Sequence, residues 1–222
     1  MFSSTDFTKP IKIILLGDGS TGKSSFYQRL CNYNDPEYIF NKKYRATTDF
    51  NLKKIRLSTN KGLINLFIWD TAGQEKYGGD LRDGYIQGAD AAIIMYDVSN
   101  RDTISNVQKW LDNINEVCNS KYSIPVAVVG NKIDKIKKVS SLDHVKLREA
   151  RLKSMYKQSN ITNHLISVKE NTLLQEGGFM VSEKIVDEGI LNPIEYLLSN
   201  IFSTSVVISR DDTTNTISND NF

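Results

Sequence analysis

Apolar residues in this chain gather into short runs separated by polar, glycine-containing stretches, and the spacing within each run assigns an element. Ile11-Lys12-Ile13-Ile14-Leu15-Leu16 reads as a buried strand, with a helix to follow from about Ser24 to Cys31. Asn32 to Asp49 is polar and aromatic, Pro36 opposes a continuing helix, and the stretch reads as a long loop. Phe50 to Ser58 alternates as a strand, Asn60-Lys61-Gly62 is a turn signal, and Leu63 to Trp69 is a second strand antiparallel to the first. Ala91 to Tyr96 and Pro125 to Val129 are continuous apolar runs, as expected of strands covered on both faces. Between them, Ile104, Val107, Trp110, Leu111 and Ile114 mark one face of a helix from Asp102 to Val117. Leu142 to Tyr156 is patterned as a basic amphipathic helix with a solvated charged face, and Leu165 to Ser167 as a short strand.

Strands alternating with helices define an α/β protein. The expected architecture is a sheet of about six strands, mostly parallel, with one antiparallel edge strand and helices on both faces. Ligands of such sheets bind outside the carboxyl ends of the strands, and the polar clusters of this chain fall there. The first follows the first strand: Gly17-Asp18-Gly19-Ser20-Thr21-Gly22-Lys23-Ser24. Gly-x4-Gly-Lys-Ser between a strand and a helix is the phosphate-binding loop of the P-loop NTPase fold. Its glycines let successive N–H groups converge on phosphate, and the helix adds its positive end. Lys23 can reach the β- and γ-phosphates and the Ser24 hydroxyl can bind Mg²⁺. The candidate phosphate-binding residues are thus Gly17, Asp18, Gly19, Ser20, Thr21, Gly22, Lys23, Ser24 and Ser25.

Asp70-Thr71-Ala72-Gly73-Gln74-Glu75 ends the strand of Leu63 to Trp69. Asp70 can hold Mg²⁺ through water, Gly73 can bring its N–H close to a γ-phosphate, and Gln74 can orient a water for in-line attack. Asn131-Lys132-Ile133-Asp134 follows the strand ending at Val129. The Asp134 carboxylate suits the donors of guanine N1 and the exocyclic amine, and adenine presents neither donor in that arrangement. Asn131 can pair with the other edge of the base and the Lys132 stem can lie over the ring, so the cluster selects GTP over ATP. Around Ser167-Val168-Lys169, backbone N–H groups can contact the guanine carbonyl oxygen and Lys169 can pack on the base. Thr47 is the candidate for a further Mg²⁺ ligand that engages only with a γ-phosphate present, with Thr48 as its competitor.

Composition changes this picture little. The chain has 222 residues and a formal net charge of +2, too near neutrality for nucleic acid or an acidic membrane as the main partner. Its two cysteines, Cys31 and Cys118, lack metal-ligand spacing and read as packing residues of a reducing compartment. No signal core, membrane-length run, myristoylation glycine or prenylation cysteine is present, so no lipid anchor is expected.

With GDGSTGKS, DTAGQE, NKID and SVK in this order, the chain resembles small GTPases of the Ras superfamily, and within it the Ran family of nuclear transport. The narrower likeness lies in Phe40 to Thr47, Trp69 to Gly79, Leu81 to Ile86 and Ile93 to Val98; overall it covers about residues 9 to 170 and resumes near Asn192 to Phe202. The resemblance implies GTP and GDP binding with Mg²⁺ at Ser24 and Thr47. It implies slow hydrolysis with Lys23 and Gln74 as catalytic residues, and Phe40 near the base or ribose. Guanine is expected on Asn131, Lys132, Asp134, Ser167, Val168 and Lys169. It further implies an exchange factor, an activating protein and importin- or exportin-type receptors, in nucleus and cytoplasm, with the protein a monomer. A nucleotide-binding interaction module with little turnover, and a Rab-like vesicle-traffic GTPase, are the competing readings.

Departures from the Ran pattern are Ser20 in place of a glycine, a longer loop before Phe40, Asp49 after Thr47, and an inserted Asp80. Residues 1–9 form an amino-terminal tail and 10–202 the domain, with an insertion at 172–191. Ser203 to Phe222, rich in Ser, Thr, Asn and Asp, is expected to be a disordered tail.

Overall fold

Strand β1 (Ile11–Leu16) has apolar side chains on both faces, so it belongs in the middle of a covered sheet. A computed structural model places it there, and describes residues 9–33, 35, 38–40, 51–70, 84–118, 124–136, 160–174, 180–181 and 188–209. Among these residues the other strands are β2 (Asn51–Thr59), β3 (Gly62–Asp70), β4 (Ala91–Asp97), β5 (Val126–Asn131), β6 (Ile161–Ser167), β7 (Thr172–Leu174) and β8 (Met180–Val181). The helices are α1 (Lys23–Cys31), α2 (Arg101–Val117) and α3 (Glu188–Phe202). The sheet runs β2-β3-β1-β4-β5-β6-β7-β8. β3, β1, β4, β5 and β6 are parallel, whereas β2, β7 and β8 join antiparallel.

The period of two along β1 sorts its side chains between two cores. Ile11, Ile13 and Leu15 pack with Phe26 and Leu30 of α1 and Ile194, Leu197 and Leu198 of α3. Ile14 and Leu16 turn to the other face, against Val107, Trp110, Leu111 and Ile114 of α2. Lys12 interrupts the apolar run at the rim, where its ammonium lies 4.3 Å from the Trp69 ring centroid and donates to the Gln87 carbonyl at 2.8 Å. The parallel register lines up the carboxyl ends: Leu15 stands beside Asp70, and Asp97 beside Asn131. Chain reversal places the site: after β1 it goes to β3 on one side, then crosses to β4 on the other.

The expected α/β architecture is present, with more strand than expected. β6 starts at Ile161 rather than Leu165, because pairing with β5 holds Thr162 and Asn163 in the sheet although neither is apolar. Two strands beyond the expected six, β7 and β8, come from the segment read as an insertion at 172–191, and make this edge antiparallel as well. A Cβ at Gly189 would lie 2.9 Å from the Thr172 carbonyl oxygen, so α3 starts in close contact with β7. The described chain continues past Phe202 and packs back on the hairpin. Ser203 takes a left-handed φ of 51°, Val206 and Ile208 are buried, and Ser209 N–H donates to Ser58 O at 2.8 Å. The helix expected from Leu142 to Tyr156 lies outside the described residues. Among those described, no helix is long and apolar enough to cross a membrane.

His164 of β6 faces α3, its ring 6.0 Å from that of Tyr196. Burial holds its pKa down to about 4, against a weaker opposing hydrogen bond with Asn192. The unfolded chain therefore binds a proton near pH 6.5 that the folded protein refuses until about pH 4. This residue's contribution is whole above pH 6.5 and lost as pH falls, by about 3 kcal/mol at the acid end. Urea unfolding from pH 4.5 to 7 should show a steeper decline for the native protein than for His164→Gln. Parallel curves would remove the residue from the pH response.

Candidate functional site

The loop after β1 is shaped by two glycines that tolerate no side chain. Gly17 has φ 130° and a Cβ there would collide with the Met95 carbonyl; Gly22 has φ 102° and a Cβ would collide with Asn131 Nδ2. Gly22 is the left-handed N-cap of α1, and neither a capping side chain nor an acidic residue occupies the first turn. The amino end of α1 thus carries no carboxylate of its own to compete with an anion. Inside the loop, Lys23 is buried and donates from Nζ to the carbonyls of Gly17 at 2.6 Å and Asp18 at 2.8 Å. Thr21 Oγ1 donates to the Asp18 carbonyl at 2.9 Å. Ser24 and Ser25 sit in the first turn of α1, and Gly19 between Asp18 and Ser20 in the loop.

Asn131 joins this loop to the ones that follow β5 and β6. Its Nδ2 donates to the Thr21 carbonyl at 2.9 Å, while Oδ1 accepts from the N–H of Lys132 at 2.7 Å and of Val168 at 3.0 Å. Lys132, in a left-handed conformation with φ 71°, donates from Nζ to Ser20 O at 2.6 Å and to Asp97 Oδ2 at 2.7 Å. Asp134, in the 3-10 turn Ile133–Lys135, accepts the Ser167 hydroxyl at 2.6 Å; Lys169 Nζ lies 3.8 Å from its other oxygen. Ser167 Oγ in turn accepts Glu170 N–H at 3.1 Å. The serine therefore aims the carboxylate and closes its own loop. Phe40 is half-buried against the α1–α3 core. Thr47, Gly73 and Gln74 lie outside the described residues.

Two carboxylates at strand ends meet opposite fates. Burial raises the pKa of Asp70, and hydrogen bonds from Ser24 and Asn51 and the charge of Lys23 only partly offset it. Among the described residues, Asp70 Oδ1 is buried without a hydrogen-bond partner. Asp97 is also buried, yet bonds from Lys132 and from the Ser99 hydroxyl and N–H outweigh that burial and lower its pKa. A carboxylate oxygen with no donor, beside a serine hydroxyl, fits a divalent cation. No group of three His, Cys, Asp or Glu side chains that could hold a metal occurs among the described residues. The donor set thus suits Mg²⁺ drawing its other ligands from phosphate oxygens and water.

The sequence reading brought Gly17 to Ser24, Asn131, Lys132, Asp134 and Ser167 to Lys169 to one end of the sheet, and the structure joins them there. The Asp18 carboxylate turns to α2, where it accepts Asn106 Nδ2 at 2.7 Å and Trp110 Nε1 at 3.0 Å. A carboxylate would repel phosphate, so only the Asp18 backbone suits the cradle. Sequence reasoning also missed Asp97 as the anchor of Lys132, and Arg29, whose Nη2 donates to the Lys169 carbonyl at 3.0 Å. Asp97 did carry a signal, as a carboxylate at the end of a fully buried strand. Arg29 carried none.

An α/β sheet with a strand–loop–helix anion cradle at its reversal point, joined to two loops at neighbouring strand ends, defines a P-loop nucleotide-binding protein. A sequence model of the Ras family matches residues 12–187, and the chain belongs to that family. It is a small GTPase, of the class of guanine-nucleotide-binding molecular switches.

Ser20 holds φ 61° with a side chain that this region disfavours. Because Lys132 binds its carbonyl, Ser20→Gly keeps that bond and relieves the strain. Thermal unfolding should show a gain of about 1 kcal/mol or less, since glycine loses more chain entropy on folding. A drop of that size would mean that the Ser20 side chain itself supports the loop.

Proposed function

We propose that this small GTPase is a switch of the Ran type, serving transport between nucleus and cytoplasm and hydrolysing GTP slowly without an activating protein. The observation that carries the nucleotide roles is the Asn131 side chain, which bonds the phosphate loop at Thr21 and the base loop at Val168 into one unit. A guanine nucleotide spans those loops. Its phosphates lie on the N–H groups of Gly17 to Ser25, and Lys23 exchanges its loop carbonyls for phosphate oxygens. Guanine takes its hydrogen bonds from Asp134, held by Ser167, and from the backbone near Val168, with Lys132, Lys169 and Phe40 about the base and ribose. Ser24, Thr47 and, through water, Asp70 hold Mg²⁺, which when bound counters the charge on the phosphates. Gly73 N–H contacts the γ-phosphate and Gln74 orients the attacking water.

The Ran-type reading is supported by the runs Phe40 to Thr47 and Trp69 to Gly79. On that reading an exchange factor, an activating protein and importin- or exportin-type receptors bind a monomeric switch. GTP-loaded and GDP-loaded protein should differ in a pull-down, with importin-type receptors retained only by the GTP form; equal recovery overturns the transport role. Gln74→Leu should keep nucleotide affinity and lower stimulated single-turnover hydrolysis about 100-fold or more. Undiminished hydrolysis in that variant would sink the role of Gln74. Intact GTP persisting in the native protein, with or without a Ran-type activating protein, would make it a nucleotide-binding module.

A further inference from the structure

We propose that Asn106 and Trp110 of α2 are positioning residues for the phosphate loop, holding the Asp18 carboxylate away from the bound phosphates. Asp18 lies between Gly17 and Gly19, and its carbonyl already accepts Lys23 and Thr21. Its carboxylate is therefore the one negative side chain of the loop that presents its backbone to phosphate. Each of its oxygens takes one donor: Oδ2 from Asn106 at 2.7 Å and Oδ1 from Trp110 at 3.0 Å. The two donors are one helical turn apart, hence on the same face of α2. Charge-assisted bonds of this kind hold orientation as well as position.

A packing role alone would ask less of these residues. Trp110 belongs to the apolar cluster between α2 and the sheet, and a phenylalanine would fill most of that volume. The indole N–H adds something else, a donor aimed at a charged loop on a different element. Without it, or without the Asn106 amide, the carboxylate is free to swing toward the cradle, where it opposes each phosphate charge. The penalty grows with phosphate charge, so GTP is affected more than GDP.

This inference rests on reading the loop as the nucleotide cradle, and the two fail separately. The probe is a fluorescent N-methylanthraniloyl-GDP and its GTP counterpart, released from full-length protein in Mg²⁺ buffer. If the native protein retains neither, the cradle reading itself fails. If it retains them, Trp110→Phe should release the GDP probe about 10-fold faster, equivalent to about 1.4 kcal/mol, and the GTP probe faster still. Asn106→Leu, which removes the donor at nearly constant volume on a half-buried position, should do the same should Trp110→Phe not fold. In an Asp18→Ala background neither substitution should accelerate release further, and the Asp18→Ala/Trp110→Phe double variant should release more slowly than Trp110→Phe alone. Equal acceleration in both backgrounds assigns the two side chains to packing and overturns the proposal, as does no acceleration in either single variant.

Discussion

A buried primary amide carries the connection on which the site depends. Asn131 stands at the end of β5 with its side chain buried, and each of its hydrogen bonds joins a different stretch of backbone: Thr21, Lys132 and Val168. In a buried setting such bonds are costly to leave unmade, so the three loops settle together or not at all. Gly22 is part of the same constraint, since the space that a Cβ would need is filled by the amide nitrogen. The loops after β1, β5 and β6 are thereby one object, although they come from separate strands.

Charge follows the same economy of donors. Asp97 keeps its ionised form because Lys132 and Ser99 answer both of its oxygens, and the Lys132 ammonium is thereby shared with the Ser20 carbonyl. Asp70, on β3 with β1 in between, has burial without enough donors, and its pKa moves the other way. The difference lies in the donors: Asp97 has them on both oxygens, whereas Asp70 Oδ1 has none among the described residues.

Residues 203–209 give the hairpin of β2 and β3 a second support. The chain turns back at Ser203 and exchanges bonds with Asn60, whose N–H donates to the Val207 carbonyl at 3.0 Å while its Oδ1 accepts Val207 N–H at 3.0 Å. Glu195 of α3 accepts Ile208 N–H at 2.8 Å. The open edge at β2 is therefore partly covered at its hairpin end.

Local pattern determined most of the fold. Continuous apolar runs placed β1, β4 and β5, period-2 alternation placed β2 and β3, and the spacing from Ile104 to Ile114 placed α2, because these signals depend only on neighbours along the chain. The phosphate loop and the NKID cluster were legible for the same reason: their chemistry is contiguous in sequence. Tertiary structure decided what depends on distant partners. It recruited Ile161 to His164 into β6, built β7 and β8 from a segment with no strong period, and ordered Val206 to Ile208 against the hairpin. It also decided where single side chains point: Asp18 to α2, Lys132 to Asp97, Arg29 to the Lys169 carbonyl. Those partners are brought together only by the parallel register of the sheet and the packing of helices on it, and no residue type at a fixed spacing encodes them.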